Sequence, residues 1–132
     1  VMKYLGYTDQ EFSWVKNEAY NYQGVGCPFR FIDLKKGDQV LDLGSGLGID
    51  SRIASNYVKP NGKVYGLDLS RNEVLHARSK IGCESHIAFR VGDMEDMSEH
   101  FRKNTLIVFY KYNCCVMLLE APWINKRTLS NN

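Results

Sequence analysis

The chain has 132 residues, enough for one domain, and its 17 basic and 15 acidic residues give a formal charge of +2. That near balance argues against a dedicated nucleic-acid binder, which carries a strongly basic face. No window of about 18 apolar residues and no signal peptide is visible, which argues against a membrane partner. With no secretory signal, we expect reduced cysteines and a cytoplasmic location.

The 37 N-terminal residues differ in pattern from the rest of the chain. Thr8 and Glu11 have the spacing of a capping box and predict a short helix that ends near Trp14. Residues 20–28 predict a loop, and residues 28–34 predict a second short helix. We therefore expect residues 1–37 to form a helical segment, or lid, ahead of the main fold.

From residue 38 onward, predicted strands alternate with predicted helices. The expected strands are residues 40–43, 64–69, 86–91 and 105–110. The expected helices are residues 49–58, 70–80 and 97–102. Alternation of this kind predicts an α/β fold, a Rossmann-like parallel sheet with flanking helices, over residues 38–116.

The length of the chain limits this fold. A strand–helix unit takes roughly 30 residues, so residues 38–132 hold about three units, whereas a full doubly wound sheet has about six strands. We therefore expect an incomplete sheet of three or four strands, followed by a divergent tail over residues 117–132. An unpaired edge on the fourth strand would promote self-association.

A glycine turn between the first strand and the first long helix is the strongest functional signal. Gly44 and Gly46 permit backbone angles that other residues resist, and the helix N-terminus that follows presents free N–H groups. Two acidic strand ends follow, Asp68 and Asp93. Asp68 is placed to accept the hydroxyl groups of a ribose, and Asp93 is placed to accept from an adenine amino group.

The spacing of the turn favours one class of nucleotide ligand. The glycines follow the pattern Gly-x-Gly-x-Gly, and Asp42 precedes them by two positions. An acid in this place would repel a pyrophosphate and attract an ammonium group. The pattern therefore favours S-adenosylmethionine, and an NAD-dependent oxidoreductase is the less favoured alternative.

These three motifs resemble those of class I S-adenosylmethionine-dependent methyltransferases. The resemblance covers residues 39–97 and implies that the glycine turn holds the methionine portion, Asp68 the ribose, and Asp93 with Met94 the adenine. The implied cofactor-binding residues are Asp42, Gly44, Ser45, Gly46, Asp68, Leu69, Asp93 and Met94.

Within that superfamily, the chain is most similar to arsenite methyltransferases. Cys27 lies in a Gly-Cys loop like theirs, and Cys114 and Cys115 follow the fourth strand, where those enzymes carry an Asn-Cys-Val motif. Cys27, Cys114 and Cys115 are the candidate catalytic residues; the resemblance implies Cys27 and one of the other two, because the run Asn113-Cys114-Cys115-Val116 has one residue more than the family motif. It also implies arsenite as a small-molecule substrate and a thiol reductant as partner. It assigns no role to Cys83. Soft thiolates are suitable ligands for arsenic(III), which is also soft. The alternative to a methyltransferase is an S-adenosylmethionine-binding segment without catalytic activity.

Overall fold

The computed structural model describes the backbone of residues 2–24, 26–84, 86–93, 106–112 and 115–121, and the side chains of those up to residue 93. Five strands form one sheet in the order β3-β2-β1-β4-β5. The strands are Gln39–Leu43 (β1), Lys63–Asp68 (β2), Ile87–Val91 (β3), Leu106–Tyr112 (β4) and Cys115–Ala121 (β5).

The helices of the described residues are Asp9–Val15 (α1), Ile49–Val58 (α2) and Arg71–Ile81 (α3). α1 begins with the predicted capping box, because the Thr8 side chain accepts from the Glu11 backbone and the Glu11 carboxylate accepts from the Thr8 N–H. Residues 28–30, part of the second predicted short helix, form a single 3-10 turn. None of these helices combines the length and the apolar composition needed to cross a bilayer.

The predicted α/β fold class is confirmed. β1 pairs in parallel with both β2 and β4, and β2 pairs in parallel with β3. At the carboxyl end of β1, Leu43 lies opposite Leu67 of β2 and Tyr110 of β4. The strands therefore end together at one edge of the sheet, where ligands bind in open α/β folds. The helix predicted over residues 97–102 lies outside the described residues.

The expectation of an unpaired edge on the fourth strand is wrong. β5 pairs antiparallel with β4 along its full length, from Leu106 opposite Ala121 to Tyr112 opposite Cys115. Only residues 113 and 114 separate the two strands in the sequence. Strands this close together in the sequence pair antiparallel, because parallel pairing needs a crossover of a dozen or more residues. Residues 117–121, expected in the divergent tail, therefore belong to the sheet.

Two apolar clusters hold the described residues together. One lies between the sheet and its helices and includes Val40, Val64 and Phe89. The other joins the N-terminal segment to the start of α2 and includes Tyr7, Cys27 and Ile53. The second cluster places the N-terminal segment at the helix end that carries the glycine turn.

Candidate functional site

The glycine turn between β1 and α2 uses the left-handed backbone region three times. Gly44, Gly46 and Gly48 have φ angles of 70°, 55° and 82°, which an L side chain rarely adopts. The N–H groups of Gly44 and Ser45 both donate to the Leu67 carbonyl, at 2.8 and 3.0 Å. The turn is thus fastened to the end of β2, and the N-terminus of α2 follows it directly.

Asp68, at the end of β2, lies against this turn. One carboxylate oxygen accepts from the Gly46 N–H at 2.8 Å and the other accepts from the Ser70 N–H at 2.8 Å. A carboxylate held by two backbone donors has a fixed orientation and keeps lone pairs for further donors. A β-carbon placed on Gly46 would meet nothing nearer than Glu73 Oε2, at 3.9 Å, so the turn is open on that side.

The remaining predicted cofactor residues lie around Asp68 and the glycine turn and differ in their exposure to solvent. The Gly92 N–H donates to the Asp68 carbonyl at 3.0 Å, which brings the end of β3 beside the end of β2. Asp93 follows there and is exposed, and Leu69 is 65% exposed beside Asp68. Met94 lies outside the described residues.

Asp42 lies beneath the turn rather than on its surface. Its side chain is fully buried, and it accepts a hydrogen bond of 2.6 Å from the Ser51 hydroxyl in the first turns of α2. Ser45 is also buried, and its hydroxyl oxygen has no hydrogen-bond partner among the described residues. At this depth Asp42 holds α2 against the end of β1 through Ser51.

A network of buried polar groups, absent from the sequence prediction, ties the N-terminal segment to the turn. The Tyr7 hydroxyl donates to Asp50 Oδ1 at 2.5 Å, and the Tyr22 hydroxyl lies 2.8 Å from that of Tyr7. Burial, reinforced by the charge of Asp50, raises the pKa of Tyr7 far above its ordinary value. Tyr7 therefore stays protonated and remains a donor to the buried carboxylate.

Glu73, also absent from the sequence prediction, lies on the first turn of α3 and faces Asp68. Its backbone N–H donates to the capping hydroxyl of Ser70 at 3.4 Å. Burial, the charge of Asp68 and a hydrogen bond with Asp68 raise the pKa of Glu73. The Ser-x-x-Glu spacing from Ser70 could have indicated this position, since it puts an acid in the first helical turn after the strand end.

The structure describes the positions of two of the three cysteines predicted as catalytic, Cys27 and Cys115. Cys27 is 2% exposed and packs with residues at the start of α2, and burial raises the pKa of its thiol to about 11. Cys115 is the first residue of β5 and lies opposite Tyr112, at the carboxyl end of β4. Both lie toward the sheet edge that carries the glycine turn, and Cys114 lies outside the described residues.

A buried carboxylate fastens the N-terminal segment to α3. Glu18 accepts from Lys80 Nζ at 3.0 Å and from Asn21 Nδ2 at 3.3 Å, and His76 Nε2 lies 2.9 Å from it. The hydrogen bond with His76, and then those with Lys80 and Asn21, lower the pKa of Glu18 to about 2 against the opposing effect of burial. Glu18 is therefore ionised in the folded chain at neutral pH.

This contact predicts a stability loss in acid. Because the pKa of Glu18 is lower in the folded chain than in the unfolded chain, its contribution is complete above about pH 4.5 and declines toward about pH 2. We expect Glu18→Gln to lower the free energy of unfolding at pH 7 by about 1.5–3 kcal/mol, and to lose less stability than the native chain between pH 5 and 2.

Urea denaturation across this pH range measures both effects. Glu84→Gln is the matched control, because Glu84 makes only a half-exposed ion pair with Lys59 at 3.6 Å. If the free energy of unfolding had the same pH dependence in Glu18→Gln and Glu84→Gln, the loss of stability in acid would not come from Glu18.

The chain is similar to known methyltransferases in sequence. A family model described as a methyltransferase domain matches residues 34–121. An arsenite methyltransferase from Halobacterium salinarum is 34% identical over 92 residues, which are 68% of this chain and 24% of that protein. A ribosomal RNA large subunit methyltransferase E from Brachyspira hyodysenteriae is 30% identical over 105 residues, 74% of this chain and 49% of that protein. The chain thus spans about a quarter to a half of these curated relatives.

Solved structures share the fold. A SAM-dependent methyltransferase from Aquifex aeolicus superposes with a TM-score of 0.53 at 21% identity, over 81% of this chain and 54% of that one. An arsenic(III) S-adenosylmethionine methyltransferase from Chlamydomonas reinhardtii gives 0.53 at 22% identity, over 78% and 36%. The cofactor predicted from the sequence, S-adenosylmethionine, is confirmed as that of the family. Since the family model covers more than half of the chain, the chain belongs to the methyltransferase domain family.

Proposed function

We propose that the chain binds S-adenosylmethionine at the glycine turn and acts as a methyltransferase on a small molecule. The observation that carries the proposal is the Asp68 carboxylate, held by the Gly46 and Ser70 N–H groups at 2.8 Å each beside an open turn. The donor and acceptor set fits this cofactor. A ribose diol meets a carboxylate acceptor, and the buried Ser45 hydroxyl lies in the same turn.

Each residue of the turn has a distinct part in the proposed site. Asp68 would accept from the ribose hydroxyls, and the main chain at Gly44 and Gly46 would approach the methionine portion. At Gly46 the approach can be close, because a β-carbon there would meet nothing nearer than 3.9 Å. Asp42 would add a negative field that favours the ammonium group. Leu69 would cover the ribose, and Asp93 with Met94 would hold the adenine.

In the proposed reaction the bound cofactor supplies a methyl group on a positively charged sulfur, which a nucleophile attacks in line. The chain then has to position the acceptor and exclude water. The N-terminal segment is suited to exclude water, since it is fastened to α2 through Tyr7 and Asp50 and to α3 through Glu18.

Calorimetric titration with S-adenosylhomocysteine, and separately with NADH, tests the cofactor. We expect binding of S-adenosylhomocysteine and no binding of NADH. Binding of NADH alone would favour the oxidoreductase alternative. A chain that binds S-adenosylhomocysteine but transfers no methyl group from S-adenosylmethionine would be a catalytically inactive S-adenosylmethionine-binding segment.

Arsenite is the methyl acceptor that we propose. Sequence similarity to arsenite methyltransferases supports it, and so does the position of Cys27 against the start of α2. The Cys27 thiol is protonated at neutral pH, and arsenous acid accepts a protonated thiol because As–S bond formation releases water. Cys114 and Cys115 would supply the further thiols, and a thiol reductant would keep them reduced.

Replacing Cys27 with serine is therefore expected to weaken arsenite binding at least tenfold and to abolish methyl transfer to arsenite. Serine keeps the size of the side chain but offers no soft ligand. Labelled methyl transfer from S-adenosylmethionine, with a thiol reductant present, measures activity, and Cys83→Ser controls for loss of an exposed thiol. Equal arsenite affinity in the native chain and Cys27→Ser would remove arsenite from the proposal.

The other partners in the proposal rest on the sequence. A formal charge of +2 supports a small-molecule enzyme without a nucleic-acid partner. Self-association would involve β3 or β5, since these strands form the edges of the described sheet. Sedimentation velocity, with and without RNA, tests both points.

A further inference from the structure

We propose that Tyr7 and Tyr22 are positioning residues for the thiol of Cys27. This inference rests on the proposed function, in which Cys27 binds arsenite. The two tyrosine hydroxyl groups converge on one backbone oxygen, the carbonyl of Gly26. The Tyr22 hydroxyl donates to this oxygen at 3.0 Å, and the Tyr7 hydroxyl lies 3.2 Å from it.

The Gly26 carbonyl is part of the planar peptide unit that also contains the Cys27 N–H. A hydrogen bond to this oxygen therefore fixes the plane from which the Cys27 residue continues. The other side of Cys27 is held by Pro28, because a residue before proline is restricted to extended backbone. Cys27 has that extended conformation, with φ −99° and ψ 111°, and residues 28–30 form the 3-10 turn. The bonds to the Gly26 carbonyl thus hold the side of Cys27 that the proline does not.

Asp50 fastens both hydroxyl groups to the start of α2. The Tyr7 hydroxyl donates to Asp50 Oδ1 at 2.5 Å, and the Tyr22 hydroxyl lies 2.8 Å from that of Tyr7. Each hydroxyl group carries one proton. Because the Tyr7 proton goes to the carboxylate, the Tyr22 proton is shared between the Tyr7 oxygen and the Gly26 carbonyl. A chain of hydrogen bonds therefore runs from α2 to the peptide unit that precedes the thiol.

This chain of bonds lies at the end of α2 that follows the glycine turn. Asp50 is the second residue of α2 and is 1% exposed. Cys27 packs in the same apolar cluster as Ile49 and Ile53 of that helix. The two hydroxyl groups thus set the position of the thiol relative to the helix N-terminus that the proposed cofactor site uses. Removing one of them should displace the thiol and leave the proposed cofactor contacts in place.

Tyr57 provides a matched control. Its hydroxyl group donates to the buried Glu11 carboxylate at 2.5 Å, so it also joins the N-terminal segment to α2, but through α1 rather than through the Gly26 carbonyl. Phenylalanine in place of a tyrosine keeps the ring and removes only the hydroxyl group. If Tyr7 only fastened the N-terminal segment, Tyr7→Phe and Tyr57→Phe would have the same effects.

Alkylation with iodoacetamide, followed for each cysteine by mass spectrometry, tests the position of the thiol. Cys27 is 2% exposed, so it reacts when the segment around it opens. Loss of one neutral hydrogen bond shifts such an opening by about 2- to 10-fold. We expect Cys27 to react faster by this factor in Tyr7→Phe and Tyr22→Phe, and at the native rate in Tyr57→Phe. The exposed Cys83 is the internal reference and should react at one rate throughout.

Calorimetric titration separates an effect on the thiol from an effect on the cofactor site. We expect Tyr7→Phe and Tyr22→Phe to bind arsenite about 2- to 10-fold more weakly than the native chain. Both variants should bind S-adenosylhomocysteine with native affinity, and Tyr57→Phe should bind both ligands as the native chain does. In turnover, the KM for arsenite should rise in Tyr7→Phe and Tyr22→Phe while the KM for S-adenosylmethionine stays unchanged.

The outcomes distinguish this inference from the proposed function. Native rates of Cys27 alkylation in both Tyr7→Phe and Tyr22→Phe would overturn the inference. An equal effect of Tyr57→Phe, or weaker binding of S-adenosylhomocysteine by Tyr7→Phe, would also overturn it, because the hydroxyl groups would then act on the whole segment or on the cofactor site. Faster alkylation of Cys27 in both variants, with no arsenite binding by the native chain, would support the positioning role and remove arsenite from the proposed function.

Discussion

Replacement of Gly48 by alanine is expected to lower the free energy of unfolding by about 2–5 kcal/mol. Two costs add. Gly48 has a φ angle of 82°, and a left-handed conformation costs an L residue about 1–2 kcal/mol. A β-carbon there would also lie 2.5 Å from Phe89 Cζ and 3.1 Å from Ala77 Cβ, and such overpacking costs about 1–3 kcal/mol.

Gly37 provides a control that separates the two costs. It has a φ angle of 94°, yet a β-carbon there would meet no atom within 4 Å. Gly37→Ala should therefore lose only the conformational part, about 1–2 kcal/mol, in urea denaturation. Adding Phe89→Leu to Gly48→Ala should recover part of the loss by making room. Equal losses in Gly48→Ala and Gly37→Ala would show that the contact with Phe89 has no energetic effect.

Local signals predicted most of the fold. The helix predicted over residues 49–58 coincides with α2, because the glycine turn that precedes it and Pro60 after it mark both ends. Ser70 caps α3 as predicted, through its bond with the Glu73 N–H. The sequence pattern does not predict β5, because the apolar residues around positions 105–119 form an almost continuous run, and no Gly or Pro lies between β4 and β5 in the sequence.

The candidate site also has a part that the sequence predicts and a part that it does not. The glycine turn and Asp68 could be predicted, since each lies at a strand end that the sequence pattern marks. The network behind them joins residues far apart along the chain: Tyr7 with Asp50 across 43 positions, and Glu18 with His76 across 58. Sequence spacing has no information on such pairs, because they depend on how the N-terminal segment packs against α2 and α3.

Replacement of Asp68 by alanine is expected to weaken binding of S-adenosylhomocysteine by about 1.5–3 kcal/mol, roughly 10- to 150-fold, the scale of a lost hydrogen bond to a charged group. The variant loses the proposed acceptor of the ribose hydroxyls. It also leaves the Gly46 N–H without the carboxylate that accepts from it at 2.8 Å, so the turn itself becomes less ordered. Calorimetry at constant pH and ionic strength measures the change.

Two further variants isolate the origin of this loss. Asp33→Ala removes one exposed negative charge that is not among the predicted cofactor residues, so it should leave the affinity for S-adenosylhomocysteine unchanged if net charge is unimportant. Asp68→Asn keeps the shape and one acceptor oxygen, but its amide group cannot accept from both the Gly46 and the Ser70 N–H groups. Its affinity should therefore fall between those of the native chain and Asp68→Ala. Native affinity in both Asp68 variants would place the cofactor away from the glycine turn and contradict the proposed site.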